Sequence, residues 1–334
     1  MKSAPSRELL TAKLFMAPLP PSLLPRPQLI HRLNESMAHK LTLLSAPAGY
    51  GKSTLLRAWA AQATQPVAWL SLSEADNDPA CFWTYVLAAC RTVYPEIDPH
   101  LFHQLHLPDP LPLEAVLTSF INILAQVSAS FTLVLDDYHL ITQATVHRTL
   151  RLLLDQQPLH LHLLLSSRVD PPLALATRRA RGDLTELRLS ALRFTPEEAN
   201  QWLTHLLHLP LSPQEIAVLS ERTEGWIAAL RLAALTLQES GGAAQHLAQF
   251  TGSHRYLLDY LLEEVLARQP EDVQSFLLTT ACLERFTASL CDTLTGRSDG
   301  QMMLETLERA NLFLVPLDGQ RHWYRYHHLF AEVL

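Results

Sequence analysis

The sequence predicts an α/β domain built on a parallel sheet, followed by a helical domain and a winged-helix domain. Three observations predict it. Short apolar runs at Leu41–Ser45, Val67–Leu72, Phe131–Leu135 and Leu159–Leu165 alternate with stretches of helical periodicity, the pattern of parallel strands joined by right-handed crossovers. From "RFTPEEA" onward the periodicity is almost only helical. Near the end, Phe313–Pro316 and Trp323–Tyr326 read as two strands joined by an Asp318–Gly319 hairpin signal.

The elements follow in order. Closely spaced prolines up to Pro27 forbid a regular helix, so residues 1–24 read as an N-terminal segment and residues 25–190 as the α/β domain. Helical patterning runs from Gln28 to His39, Ser53 to Thr64, Pro79 to Val93 and His147 to Asp155, and Leu187–Leu189 reads as a last short strand. Thr195–Pro196–Glu197–Glu198 places an N-cap Thr, a Pro at the first helical position and acids in the first turn. It opens a helical domain over residues 191–240. A break at Glu239–Ala243 separates this from a winged-helix domain over residues 241–334.

The bulk composition narrows the function classes. The 334 residues are 48% hydrophobic and 18% charged, a globular balance able to bury a core. A net charge of −7 gives these residues no general attraction to nucleic acid or an anionic membrane. The four cysteines form no C-x-x-C pair, which fits reduced thiols and a cytoplasmic location. The N-terminus lacks the apolar core of a signal peptide. Ala115–Leu135 has no charged residue, but its polar side chains from Thr118 to Thr132 suit a buried helix and strand rather than a membrane span.

The chemistry begins at Ala46–Pro47–Ala48–Gly49–Tyr50–Gly51–Lys52–Ser53. This is a phosphate-binding P-loop pattern in which Ala46 replaces the first glycine. Gly49 and Gly51 allow backbone N–H groups to turn inward, and the following helix start adds its dipole. Lys52 reaches the β- and γ-phosphates, and Ser53 ligates Mg²⁺. "FTLVLDDYH" ends a strand in two acids: Asp136 to hold Mg²⁺ through water, Asp137 to orient or activate the attacking water. Arg168 follows the next strand. In a P-loop sheet with an added strand that strand lies between the other two, so the expected order is 5-1-4-3-2 and Arg168 stands near the γ-phosphate. ATP or ADP with Mg²⁺ is the implied cofactor. Gly225–Trp226 reads as a helix–helix packing device, and the adjacent His327 and His328 point to different faces and make no metal site.

Seven blocks occur in order: "SAPAGYGKSTLL", "VAWLSLSEADNDPACFWTYVLAA", "LVLDDYHLI", "LLLSSRVDPPL", "TEGWIAALRLAAL", "HRYLLDYLLEEVLARQPEDVQSFLLTTACLERF" and "YRYHHLFAEVL". From about Leu24 to Leu334 the chain resembles the N-terminal ATPase core of MalT-like LuxR-family transcriptional activators, members of the STAND class and cousins of the NB-ARC proteins. The resemblance implies a slow, regulatory ATPase: ADP locks the domains closed, and ATP with an inducer opens them and permits self-association. It implies a phosphate loop of Ala48, Gly49, Tyr50, Gly51, Lys52, Ser53 and Thr54, adenine-contacting backbone near Arg26, and His327 as the winged-helix histidine that meets the ADP β-phosphate. Many relatives carry Gly-Trp-Pro, with the proline on adenine, where this chain has Ile227. Relatives bind inducer and DNA through domains not in this chain, which stops at Leu334 within a helical pattern and so reads as a fragment. A work-performing ATPase of loader or chaperone type, and a nucleotide-binding module without turnover, are the alternative readings.

Overall fold

The computed structural model describes residues 9–98, 101, 111–127, 129–239, 252 and 254–334. Two compact units divide the chain: residues 1–19, 26–45 and 52–187, and residues 20–25, 46–51 and 188–334.

The first unit holds strands β1 (Leu41–Ser45), β2 (Val67–Ser71), β3 (Phe131–Asp136), β4 (Leu161–Ser167) and β5 (Leu184–Arg188), in the order β2-β3-β4-β1-β5. This is the expected order read from the opposite edge. β4 runs parallel to both neighbours, from Leu41↔Leu163 to Ser45↔Ser167 on one side and from Phe131↔Leu161 to Leu135↔Leu165 on the other. The C-terminal ends of β1, β3 and β4 therefore align on one rim, where open α/β sheets bind ligands. Every residue of these three strands is buried, as in parallel sheets covered on both faces. The helix Pro79–Val93 starts as its sequence dictates, with Asp78 accepting the Cys81 N–H and Pro79 at the first position. It buries Phe82, Trp83 and Val86, and Trp83 Nε1–H reaches Thr149 Oγ1 on the helix Ala144–Asp155 at 2.9 Å.

Among the described residues of the proline-rich N-terminal segment there is one 3₁₀ turn, Thr11–Leu14, before the helix Pro27–Ser36 begins. Lys13 Nζ lies 2.7 Å from both carboxylate oxygens of Asp76 and 2.7 Å from Ser73 Oγ, and 4.6 Å from the centre of the Tyr85 ring. Asp76 is fully buried, so this ammonium neutralises a charge that water does not reach.

Two boundaries differ from the sequence reading, and the expected division of Ala115–Leu135 is found. The last strand is Leu184–Arg188, and Leu189–Leu192 turns helical. As an edge strand β5 is mostly half-buried, so its apolar signal is weak. β4 starts at Leu161, since the Leu161 N–H closes a turn on Pro158 O at 3.1 Å and leaves Leu159 fully exposed. Ala115–Leu135 divides into the helix Leu113–Gln126 and β3. Among the described residues no helix is long and apolar enough to cross a membrane.

In the second unit the described residues from Pro196 onward are mostly helical before a two-stranded antiparallel hairpin, β6 (Leu314–Pro316) and β7 (Tyr324–Tyr326). The helix Pro196–Asn200 opens with Thr195 and Glu198 in a capping box. The hairpin loop is longer than a two-residue Asp-Gly turn. The Asp318 carboxylate accepts the N–H groups of Gln320, His322 and Trp323, and these bonds organise the extra residues. Phe286 joins the hairpin through a bridge to Tyr324. Of the expected break at Glu239–Ala243, only Glu239, the last residue of the helix Ile227–Glu239, is among the described residues.

Candidate functional site

β1 delivers the chain into the turn Ala46–Gly51, and Lys52 opens the helix Lys52–Ala60. Ala46, at the position of the motif's first glycine, is fully buried, and Ala48 and Tyr50 are buried as well. Gly49 and Gly51 have φ of +79° and +76°, the left-handed conformation that side chains resist and that turns successive N–H groups to one side. The division between the compact units falls inside this continuous stretch, after Gly51.

On the sheet side, Lys52 is 6% exposed. Burial first, and then the Arg168 charge, lower its ammonium to about 8, against the upward pull of Asp137 and Asp136. Ser53 Oγ donates to Asp136 Oδ1 at 2.9 Å. Ser166 Oγ donates to the same oxygen and accepts the Asp137 N–H at 2.9 Å. Asp137 sits at φ 60°, ψ 41°, a strained backbone that Asp tolerates better than most residues. Its carboxylate lies 3.9 Å from His139 Nδ1. Arg168 follows β4 directly. At the neighbouring strand ends, Ser45 Oγ donates to Asp170 at 3.0 Å. Lys52, Ser53, Asp136, Asp137 and Arg168 are thus gathered at one rim of one unit. Ser166, which holds the Asp136 carboxylate and the Asp137 backbone, was missed by sequence reasoning; its signal is the Ser-Ser pair that precedes Arg168.

These residues fit a magnesium nucleotide. Ser53 Oγ and Asp136 Oδ1 are oxygen donors already within hydrogen-bond distance of each other, and Mg²⁺ takes one or two such protein oxygens beside phosphate and water. Arg26 is the N-cap of the helix Pro27–Ser36, with its carbonyl accepting from Leu29 and Ile30. Thr54 is half-buried within the helix that Lys52 opens.

The second unit contains His327, 3% exposed at the start of the helix His328–Val333. Its Nε2 is 3.0 Å from Thr223 O, so Nε2 carries the proton, while the buried Nδ1 has no hydrogen-bond partner among the described residues. Burial lowers its pKa. Its ring packs edge-on against Trp226 and Phe313, with centroids 5.8 Å away in each case. A cavity of about 100 Å³ is lined by Pro47, Tyr50, Arg193, Glu224, Asn311 and His327, well short of the roughly 300 Å³ that ligand pockets begin at. Beside it Glu224 and Arg325 pair through two bonds of 2.8 and 2.9 Å. Burial works to raise the Glu224 carboxyl, but the Arg325 hydrogen bond and neighbouring positive groups outweigh it and hold the group at about 2.

Lys52 sets a pH dependence. Its value in the folded protein, about 8, lies below the ordinary 10.5. The unfolded chain therefore binds more protons between those values, and nucleotide-free stability rises across that window. ADP affinity moves the other way, falling by up to about tenfold per pH unit above 8 as the ammonium is lost. Calorimetric titration in buffers of different ionisation enthalpy checks this through proton uptake on binding at pH 8. An affinity independent of pH from 7 to 9.5 contradicts it.

Residues 27–166 match the family described as AAA ATPase domain, and residues 262–334 the MalT winged helix domain. The HTH-type transcriptional regulator MalT of Cronobacter sakazakii is 36% identical over 316 residues, covering 92% of this chain and 34% of that protein. MalT of Yersinia enterocolitica is 37% identical over 315 residues, with the same coverage of 92% and 34%. The chain thus spans about a third of the length of the curated relatives it matches. Among solved structures, a Walker-type ATPase of Pyrococcus abyssi matches with a TM-score of 0.65 at 17% identity, over 93% of this chain and 95% of that one. That likeness is one of fold.

Proposed function

The chain belongs to the MalT-like regulators, of which it carries the P-loop ATPase domain and the winged helix, and from that premise we propose that it is a nucleotide-controlled switch. One observation carries the reading: the turn of the phosphate loop, residues 46–51, belongs to the compact unit that ends in the winged helix, whereas Lys52 and Ser53 belong to the sheet unit. A ligand held by this one uninterrupted segment acts on both units through chain connectivity, and a ligand shifts a conformational equilibrium only by its differential contacts.

The residues take these roles. Backbone N–H groups of Ala48–Thr54 and the Lys52 ammonium hold the phosphates. Ser53 and Asp136 hold Mg²⁺, which when bound offsets phosphate charge. Asp137 orients the attacking water, and Arg168 distinguishes ATP from ADP at the γ-phosphate. His327 reports phosphate occupancy to the winged helix. ADP maintains the resting state, and ATP with an inducer permits self-association in the cytoplasm. Inducer and DNA are bound by parts of the longer MalT-like chains outside this third, in keeping with a net charge of −7 here.

Two measurements on the purified chain test the reading. Denaturation is expected to release about one ADP per chain, and steady-state hydrolysis is expected on the order of 10⁻³ s⁻¹, as for GTPase switches without their activators. Sustained turnover above about 1 s⁻¹ with no retained nucleotide indicates a work-performing ATPase instead.

A further inference from the structure

We propose that Trp226 is a positioning residue for the phosphate loop, holding the turn from behind so that its N–H groups face the anion. The proposal deepens the nucleotide-switch reading and rests on residues 46–54 binding phosphate. The motif lacks its first glycine, since Ala46 stands there, and residues 226–228 of the same unit support the turn. Trp226 is fully buried, and its Nε1–H donates to Ala48 O at 2.9 Å. The Ala228 N–H, in the first turn of the helix Ile227–Glu239, donates to Gly49 O at 3.0 Å. First-turn N–H groups have no partner in their own helix, so this one is available to the loop.

Two consecutive carbonyls are thereby fixed. A trans peptide is planar, with the C=O of one residue pointing opposite the N–H of the next. Anchoring Ala48 O orients the Gly49 N–H away from Trp226, and anchoring Gly49 O orients the Tyr50 N–H away from Ala228. The indole also stacks on Tyr50 at 6.4 Å between centroids with 27° between planes. It meets Phe313 at 4.9 Å, Tyr260 at 5.8 Å and His327 at 5.8 Å. Trp226 thus touches the phosphate loop on one side and the winged-helix histidine on another. The same ring that positions the loop links phosphate occupancy to His327.

Trp226→Phe keeps a ring and removes the single donor. ADP affinity by calorimetric titration is expected to fall about five- to tenfold, the worth of one buried hydrogen bond. Trp202→Phe is the matched control, because its buried indole also donates to a backbone carbonyl, Ser22 O, at 2.9 Å. Its ADP affinity is expected to stay unchanged. Equal losses in both variants, or a loss in neither, overturn the proposal.

Hydrogen exchange on the wild-type chain decides the question even if Trp226→Phe does not fold. ADP is expected to slow amide exchange in the peptide containing Ala228 together with residues 49–54. Protection of 49–54 without any change at Ala228 overturns the positioning role and leaves the nucleotide reading standing. No ADP binding, or no protection at 49–54, overturns both.

Discussion

Lys52→Ala is expected to weaken ADP binding roughly 100-fold, since a charge-assisted contact to phosphate contributes about 1.5–3 kcal/mol and Lys52 is the cation that the phosphate loop itself carries. The nucleotide-free protein is expected to remain folded. Its ammonium is buried, and burial is the main reason that its protonation is disfavoured. Removing it takes away a costly charge, so the melting temperature without nucleotide should hold or rise while the stabilisation by saturating ADP disappears. Thermal melts with and without ADP, beside calorimetric titration, read both effects. An Ala variant that melts with the same ADP-dependent increment as the wild type removes Lys52 from the site.

Gly49→Val is expected to cost about 3–5 kcal/mol of stability, combining left-handed strain with overpacking. A Cβ at Gly49 comes 2.5 Å from Ala228 Cβ and 2.7 Å from Trp226 Nε1, and φ there is +79°. The backbone has little room to retreat, since the Gly49 carbonyl is bonded to Ala228 and the preceding carbonyl to Trp226. Gly51→Val is the comparison. Its φ is nearly the same, +76°, but its Cβ meets only the far end of the Ile227 side chain, at 3.1 Å. The difference between the two variants in chemical denaturation therefore separates crowding from backbone strain. Equal losses at both positions contradict the close packing of Gly49 against the helix Ile227–Glu239.

The parts of this molecule most legible in the sequence are those whose chemistry is local. The Ala46–Thr54 stretch packs a turn, a cation and a hydroxyl into adjacent residues. The fully buried β3 and β4 announce themselves as unbroken apolar runs. The interposed β4 followed from Arg168 belonging to an added strand, and the sheet order agrees. Features resting on distant partners were illegible. Gly225–Trp226 reads locally as a device for packing helices. Its indole in fact serves a carbonyl 178 positions earlier, and no periodicity encodes a single donor meeting a single acceptor. Ser166 reads locally as the polar end of a strand, because its two partners, the Asp136 carboxylate and the Asp137 backbone N–H, lie at a different strand end. β5 was misplaced because a half-buried edge strand need not alternate.

The Lys13–Asp76 contact changes how the first residues should be valued. The opening stretch, with its prolines and short apolar runs, looks expendable, and a shortened chain beginning at Pro27 keeps every strand and the whole phosphate loop. Such trimming deletes the ammonium and strands a carboxylate in the interior beside Ser73 and Tyr85. An unmatched interior charge is among the costliest single defects a fold can carry. Trimming only the residues before Leu9, by contrast, leaves both partners of the ion pair on one chain. The vulnerable point of this tail is thus one side chain rather than its length.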